Sequence, residues 1–501
     1  RDFSKGATYT AGQLDLIEAY GSNELGKILP FAFTEYGSWN RTNRSDGTYG
    51  DYTRPQQQWD LTRDVREKMM VFLNRPDRVL SATPFVSPRH WEGGVPTNAA
   101  GDNVFFEQDA SGNWSETIVG NMFRMLAPVS GRYIDVAVDN PDLQTVAFRD
   151  GNQVFIVLNN LQSSNQTVSL SGLGLGNVQS ASLDRIRMVG STPTFDDDLD
   201  VSGSWQHLVL SGEEGAVLSL TLDSSSLFDR ASDTITTYGS HTADPITQPG
   251  GRSTAMNLQA ELQDATSAKL RVSYSRPGQN VEAFDVILNG TRLWFSADEL
   301  AGDDGAFEFI SREIEVPLNL LQEGNNTVQA DFSGNGGRIG AIVLEVTRSI
   351  GEFDGDGTFG CGDIDAIVAA IGTGNDRFDL TGDGVIDVAD VQFWISDLRN
   401  APLGDLNFDG SIDISDFDLF LDGFLSDYSG MDACVAYQNG DLNFDGVSTH
   451  LDFVAFRDAY DSVHGDGAFA ALVPEPSTVH LAVFSAILMI LRLRRRSMLA
   501  A

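Results

Sequence analysis

Two sets of residues in this 501-residue chain have the types and spacing to do chemistry. The first is a lone carboxylate. The apolar run from Ile28 to Phe33, which reads as a fully buried strand, breaks into Thr34-Glu35-Tyr36-Gly37, so an acid is followed by an aromatic and by a glycine that permits a sharp turn. An acid at the carboxyl end of a strand in an α/β barrel stands where such barrels do their chemistry, and this makes Glu35 the candidate nucleophile. The second set is repeated four times over twelve-residue loops, with oxygen-bearing side chains at the first, third, fifth and twelfth positions and glycine at the sixth. The first loop has Glu352, Asp354, Asp356, Gly357 and Asp363; the second has Asp379, Thr381, Asp383, Gly384, Asp387 and Asp390. The third has Asp405, Asn407, Asp409, Gly410, Asp413 and Asp416, and the fourth has Asp441, Asn443, Asp445, Gly446, Thr449 and Asp452. A hard Ca²⁺ ion takes roughly six to eight oxygens, and the glycine permits the tight turn that gathers them. The four loops are expected to bind Ca²⁺, the first and fourth more weakly because Gly360 and Thr449 replace a carboxylate at the ninth position.

The elements around Glu35 follow from periodicity. A helix with Leu14, Ile17 and Tyr20 on one face, behind a Thr10 cap, precedes the strand. A second helix, from about Gln57 to Asn74, has Trp59, Val65, Met69, Phe72 and Leu73 as its apolar residues. Arg78 to Val86 reads as another buried strand, and Glu116 to Leu126 as a helix capped by Ser115. Helix, strand and helix in this order give the last units of a (β/α)8 barrel over residues 1–128; a complete barrel needs at least about 200 residues. Period-two strands such as Thr145–Arg149 and Val217–Leu222 then predict an antiparallel β-sandwich over 129–228. Strands such as Lys269–Tyr274 and Thr327–Asp331 predict a second over 229–348. That second sandwich could bind sugar through Trp294 and Phe295, although burial of both rings in its core is the expectation. The calcium loops alternate with amphipathic helices and fall into two pairs, 351–400 and 403–466. The fold class is therefore multidomain.

The formal net charge of −38 argues against nucleic acid as a partner, because phosphate would be repelled. The charge is concentrated: from Glu352 to Asp466 there are 25 acidic residues against Arg377, Arg399 and Arg457. Cys361 and Cys434 cannot define a disulfide scaffold, but one bridge between them would suit a secreted protein. Arg1 follows no initiator methionine, and the chain is expected to begin within a longer protein.

The four loops resemble dockerin repeats, in which the twelfth ligand is Asp where a sensor EF-hand has a bidentate Glu. The resemblance covers about 110 residues; dockerins usually attach enzymes to a cohesin, and a cohesin-like partner is possible here rather than implied. At residues 473–501, Val473-Pro474-Glu475-Pro476-Ser477 precedes an apolar run from Val479 to Leu491 and then Arg492, Arg494, Arg495 and Arg496. This run, read as a short hydrophobic helix, falls short of the roughly 20 residues of a bilayer span. It closely resembles the PEP-CTERM sorting signal of bacterial exported proteins. That implies transient or permanent membrane contact through this segment and a body exported to the cell surface or medium.

The first 350 residues look like the carboxyl-terminal part of a glycoside hydrolase of family 86, the β-agarases and β-porphyranases, whose barrel is followed by two β-sandwiches. In that clan of retaining glycosidases the nucleophile is a Glu at the end of the seventh strand, which Phe33-Thr34-Glu35-Tyr36-Gly37 fits; Val79–Val86 would be the eighth. The family's acid/base lies at the end of the fourth strand and is expected upstream of Arg1. Glu92 follows a different strand and does not replace it. The resemblance implies that Tyr36, Trp39, His90 and Trp91, on the loops after the two strands, hold a galactose-type ring. The expected function is cleavage of an agar-type β-linked galactan of red algae by a retaining mechanism, with residues 1–501 inactive on their own. The alternative is a surface-display or adhesion protein that binds glycans without hydrolysing them.

Overall fold

The computed structural model describes residues 5–37, 54–84, 105–108, 111–134, 142–170, 177–223, 231–240, 244–246, 253–275, 284–294, 309–332 and 337–472, with a few single positions between them. They fall into two compact units, Arg1–Asp223 with Ser232–Ile350, and Ser224–Ala231 with Gly351–Ala501.

In the first unit α1 (Lys5–Leu25) leads to β1 (Phe31–Tyr36), α2 (Arg54–Leu73) and β2 (Val79–Pro84). β1 and β2 pair in parallel, which requires a long crossover, and α2 supplies it. This is the strand–helix–strand unit read from the sequence, but neither strand is fully buried as expected: β1 starts at Phe31 rather than Ile28, and Leu29 and Leu80 are exposed. The buried face of α1 departs from expectation. Ile17 and Tyr20 are 50% and 57% exposed, whereas Leu14, Asp15, Glu18 and Ala19 are buried, and Thr10 lies inside the helix rather than at its cap. The two acids go inward because arginines await them. Asp15 Oδ1 accepts from Arg75 Nη2 at 2.9 Å and from Arg271 Nη2 at 3.0 Å, and Ser311 Oγ donates to its Oδ2 at 2.8 Å. Glu18 accepts from Arg75 Nε at 3.1 Å, Arg78 Nη1 at 2.8 Å and the Tyr238 hydroxyl at 2.7 Å.

The hairpin of β3 (Phe106–Gln108) and β4 (Trp114–Glu116) precedes α3 (Ile118–Leu126). The cap of α3 is Thr117, whose hydroxyl accepts from the Gly120 N–H at 3.2 Å, and not Ser115. Ser115 and Glu116 are held extended by pairing with Glu107 and Phe106, so the helix starts later than its sequence allows.

The first sandwich comprises β5 (Arg132–Ile134), β6 (Leu143–Asp150), β7 (Gln153–Asn160), β8 (Gln166–Ser169), β9 (Val178–Val189), β10 (Thr192–Asp200), β11 (His207–Leu210) and β12 (Gly215–Leu222). Six strands form one sheet in the order β10-β9-β12-β7-β6-β5, and β8 pairs with β11. Both faces of the large sheet are covered. Val146, Phe148, Phe155 and Val157 pack with the core of α2 and α3, while Ala147, Val154, Ile156 and Leu158 pack with Val168, Leu208 and Leu210 of the β8–β11 pair. Burial on two sides explains why β7 reads as a continuous apolar run.

The second sandwich comprises β13 (Ala231–Tyr238), β14 (Asp244–Ile246), β15 (Met256–Ala260), β16 (Ala265–Ser275), β17 (Phe284–Leu288), β18 (Thr291–Trp294), β19 (Ile310–Glu315), β20 (Gly324–Phe332) and β21 (Gly337–Ile350). Its sheets are β13-β21-β16-β19, with β14 on β21, and β15-β20-β17-β18. Leu270, Val272, Ile342 and Leu344 from the first meet Met256, Leu258, Val286 and Val328 from the second. α1 lies on the outer side of the first sheet. There a side chain at Gly12 would come within 2.5 Å of the Phe309 carbonyl oxygen, so glycine is needed for the close approach.

The second unit holds α4 (Cys361–Ala370), α5 (Val388–Phe393), α6 (Ile414–Gly423), α7 (Ala433–Gln438), α8 (His450–His464) and α9 (Phe469–Leu472). The expected boundary between loop pairs at 400–403 is not a boundary here. Helix α4 of the first pair packs on α7 of the second, Cys361 is bonded to Cys434, and Asp365 accepts the Cys434 N–H at 2.8 Å. All four loops thus share one unit. The C-terminal apolar run lies outside the described residues; among those described, no helix is long and apolar enough to cross a membrane.

Candidate functional site

The direction of Glu35 is set by an irregularity in β1. Strict alternation from Phe31 and Phe33 would aim residue 35 at α2. The pairing with β2 shifts register between Phe33 and Tyr36, and the next inward residue is Tyr36. Phe33 stacks on Phe72 with centroids 4.4 Å apart, and Tyr36 meets the same ring edge-on at 5.0 Å. Glu35 is left exposed at the carboxyl end of the strand, as register shifts beside active sites do to a side chain they re-aim. It makes no ion pair or hydrogen bond with any described side chain, so the bland role of a strand-end salt bridge finds no partner there. Gly37 follows with φ +112°, a conformation that side chains rarely adopt, and turns the chain away.

Tyr36 is a correction. Its ring belongs to the core with Val65 and Phe72, so its face is not available to a sugar; burial, then the Asp64 charge, raises its hydroxyl above the usual tyrosine range. Trp39, His90 and Trp91, and Glu92 with them, lie outside the described residues. Trp294 overturns its expectation in the opposite sense: it is 69% exposed at the end of β18 rather than buried, while Phe295 lies outside the described residues.

The four acidic loops share one backbone design. The sixth-position glycines, Gly357, Gly384, Gly410 and Gly446, have φ between 84° and 89°, and the fourth positions are also left-handed, including Phe408 and Phe444 at 59°. The first-position carboxylate accepts the N–H of the sixth residue, at 2.8 Å in the second, third and fourth loops and 3.2 Å in the first. The twelfth-position aspartates, Asp363, Asp390, Asp416 and Asp452, are fully buried. Each accepts the N–H of the ninth residue at 2.8–2.9 Å and that of the second, thereby capping the helix that follows. An aspartate here has a structural task in each loop, which sequence spacing alone does not reveal.

The donor set fits a hard cation. It is made of carboxylate, amide and hydroxyl oxygens, with Asn407, Asn443, Thr381 and Thr449 among the carboxylates and no sulfur or imidazole. Glu352, Asp354 and Asp356 each offer an oxygen within 4.8 Å of the others. Burial, and then the carboxylates of Asp416 and Asp409, push Asp405 up to about 7, and burial likewise raises Asp363, Asp416 and Asp441. A divalent ion would relieve that crowding of charge.

Sequence comparison places two known domains on the two sandwiches. Residues 142–243 match the porphyranase β-sandwich domain 1, and residues 254–347 match the C-terminal domain of β-porphyranase A. The chain is 25% identical over 371 residues to β-porphyranase A of Phocaeicola plebeius, covering 72% of this chain and 50% of that protein. It is 24% identical over 366 residues to a β-agarase of Microbulbifer thermotolerans (64% and 30% covered). It is 25% identical over 349 residues to a funoran endo-β-hydrolase of Wenyingzhuangia aestuarii (66% and 46% covered). The chain thus spans half the length, or less, of these curated relatives. Among solved structures, the family 86 β-porphyranase of the gut bacterium Bacteroides plebeius superposes with a TM-score of 0.59 at 22% identity, covering 69% of this chain and 61% of that one. A family 86 protein crystallised with neoagarooctaose also gives 0.59, at 21% identity and 69% and 56% coverage. The matched domains and the relatives support the same group, the family 86 porphyranases and agarases, and the solved structures share the fold.

Proposed function

We propose that this chain is part of a family 86 glycoside hydrolase that cleaves a β-linked galactan of red algae, agarose or porphyran, with retention of configuration and with Glu35 as nucleophile. The observation that carries the reading is the register shift in β1, which leaves a carboxylate exposed at the carboxyl end of a parallel strand, ahead of two porphyranase-type sandwiches. In a retaining mechanism the carboxylate attacks the anomeric carbon as the bond to the leaving sugar oxygen breaks, and a second carboxyl group about 5 Å away gives that oxygen a proton. The same second group then takes a proton from the water that releases the glycosyl ester. The second carboxyl group is proposed to come from barrel strands that are not among the described residues. Residues 1–501 then supply the nucleophile but not the acid/base.

The acidic unit is proposed to hold Ca²⁺ through the first, third, fifth, ninth and twelfth positions of its loops and, as a dockerin, to tether the enzyme to a cohesin-like partner. The Cys361–Cys434 bridge supports an exported location, since such bonds persist in oxidising surroundings. Export through a PEP-CTERM signal at residues 473–501, with transient or lasting membrane contact, completes the reading.

The test is release of reducing ends from agarose and porphyran by the enzyme that carries these residues, with and without Glu35→Gln. Loss of about a thousandfold or more in kcat is expected, with the product anomer retained in the parent enzyme. Unchanged cleavage in the variant would remove Glu35 from the chemistry, and no release of reducing ends by the parent enzyme would leave the binding-only alternative standing.

A further inference from the structure

The sheet β15-β20-β17-β18 has one face in the core of the second sandwich and one that no described helix or strand packs upon. Register places the residues of that outer face. Asp331, Asp285 and Trp294 form one row across three strands, and Gln329, Ile287 and Arg292 form the next. The inward neighbours Val286, Leu288, Val328 and Ala330 are fully buried, so the alternation is clean and the outward set is fixed by the core. Its chemistry is unusual for a solvated sheet. Trp294, at the edge, keeps 69% of its surface in water although no neighbouring strand needs it. Beside it the Arg292 guanidinium bridges two carboxylates, pairing with Asp285 and, at 3.1 Å, with Asp331. Such a fork holds two acceptors and the guanidinium edge in a fixed plane next to a flat apolar ring. Thr327 and Asn257 continue the polar surface onto β15.

A flat indole flanked by planar, pre-oriented hydrogen-bonding groups matches a pyranose, which offers C–H bonds on its face and hydroxyls around its edge. The charges choose among sugars. Both arms of Arg292 are engaged by acids, so its charge is not open to an anionic ligand, on a chain whose formal net charge is −38. Sulfate groups would be repelled, whereas a neutral chain would not. Resting on the galactanase reading above, we infer that this face is a second, non-catalytic docking site for an uncharged galactan chain, with Trp294 as its stacking platform. The site would keep the enzyme on neutral stretches of its polymer while cleavage takes place at Glu35.

Affinity electrophoresis of the full chain through native gels cast with agarose, with sulfated porphyran or with neither tests this, in a Glu35→Gln background so that the matrix stays intact. Expected are retardation by agarose, weaker retardation by porphyran, and a loss of about tenfold in affinity for Trp294→Ala, the scale of removing one aromatic platform. Trp294→Phe, which keeps a ring, should retain most of the binding, and circular dichroism should show both variants folded, since an exposed edge residue contributes little to the core. Equal retardation of Trp294→Ala and its parent overturns the site, and stronger retention by porphyran overturns the neutral-chain assignment. Cleavage of short soluble oligosaccharides by the hydrolase should be unchanged in Trp294→Ala. Failure of the hydrolase reading would appear only in that activity, and failure of this inference only in the gel.

Discussion

Substituting Asp15 by Asn should loosen the whole first unit, although no catalytic role is assigned to the residue. Asp15 is fully buried and sits between two guanidinium groups from different elements, Arg75 after α2 and Arg271 on β16, while Ser273 and Ser311 also donate to it. Removing its charge leaves both buried arginines short of a partner. Breaking a buried ion pair from one side costs about 3–5 kcal/mol. At roughly 2.1 cal/mol/K of unfolding entropy per residue over the approximately 340 residues of the unit, that cost lowers Tm by about 4–7 °C. The pH dependence gives an independent reading. Burial alone would raise the Asp15 carboxyl, but the charges of Arg271 and Arg75 and the Ser311 hydrogen bond outweigh it and hold the group below the ordinary carboxylate range. Its contribution is therefore present above the unfolded value of 3.8 and lost as pH falls through the lower folded value. Scanning calorimetry at pH 7 and in steps toward pH 3 measures both effects. A variant melting within about 1 °C of the parent at pH 7 would refute the claim that this cluster ties α1 and α2 to the second sandwich.

Glu67 on α2 titrates with the opposite sign: burial raises it from 4.5 to about 7 despite Arg63 and Arg66, so the folded state holds its proton longer than the unfolded one. Stability should fall by roughly 3 kcal/mol as pH rises from about 4.5 through 7, and Glu67→Gln should flatten that slope in urea titrations; an unchanged slope would place the titration elsewhere. Reducing the Cys361–Cys434 bridge, which joins residues 73 apart, should cost the acidic unit about 4 kcal/mol in the absence of Ca²⁺, measured by denaturation with and without thiol. Calorimetric titration with Ca²⁺ should resolve two tighter and two weaker sites, with Asp383→Ala and Asp409→Ala each removing a tighter one; four equal sites would contradict the role given to the ninth position. Saturation at about a hundredfold over Kd should add roughly 2.7 kcal/mol per site, and a chelator should reverse it.

What the sequence made legible is what local spacing determines. The parallel strands could be read because apolar runs broken by Thr34-Glu35-Tyr36-Gly37 and by Pro84 have few other uses, and the four loops because glycine and oxygen donors recur at fixed offsets. The errors fall where a partner distant in sequence decides. Leu14 was the inward residue of α1 as expected, but Ile17 and Tyr20 lost that face to Asp15 and Glu18, whose partners lie between 57 and 296 positions away. Helical periodicity cannot anticipate acids that outcompete apolar residues for the interior, because burial is affordable only once Arg271 and Ser311 have arrived from another sheet. Tyr36 turned inward for a related reason: a register shift against β2 is a property of two strands, and it reverses the alternation that one strand predicts. Trp294 adds the converse case. An aromatic in an alternating strand is assigned to the core by default, yet Val286, Leu288 and Val328 already fill that core, and what remains outside is an exposed ring. The positions at which sequence reasoning failed therefore divide by cause. Those at Asp15, Glu18 and Tyr36 build the scaffold, and that at Trp294 leaves outside a ring to which function is assigned.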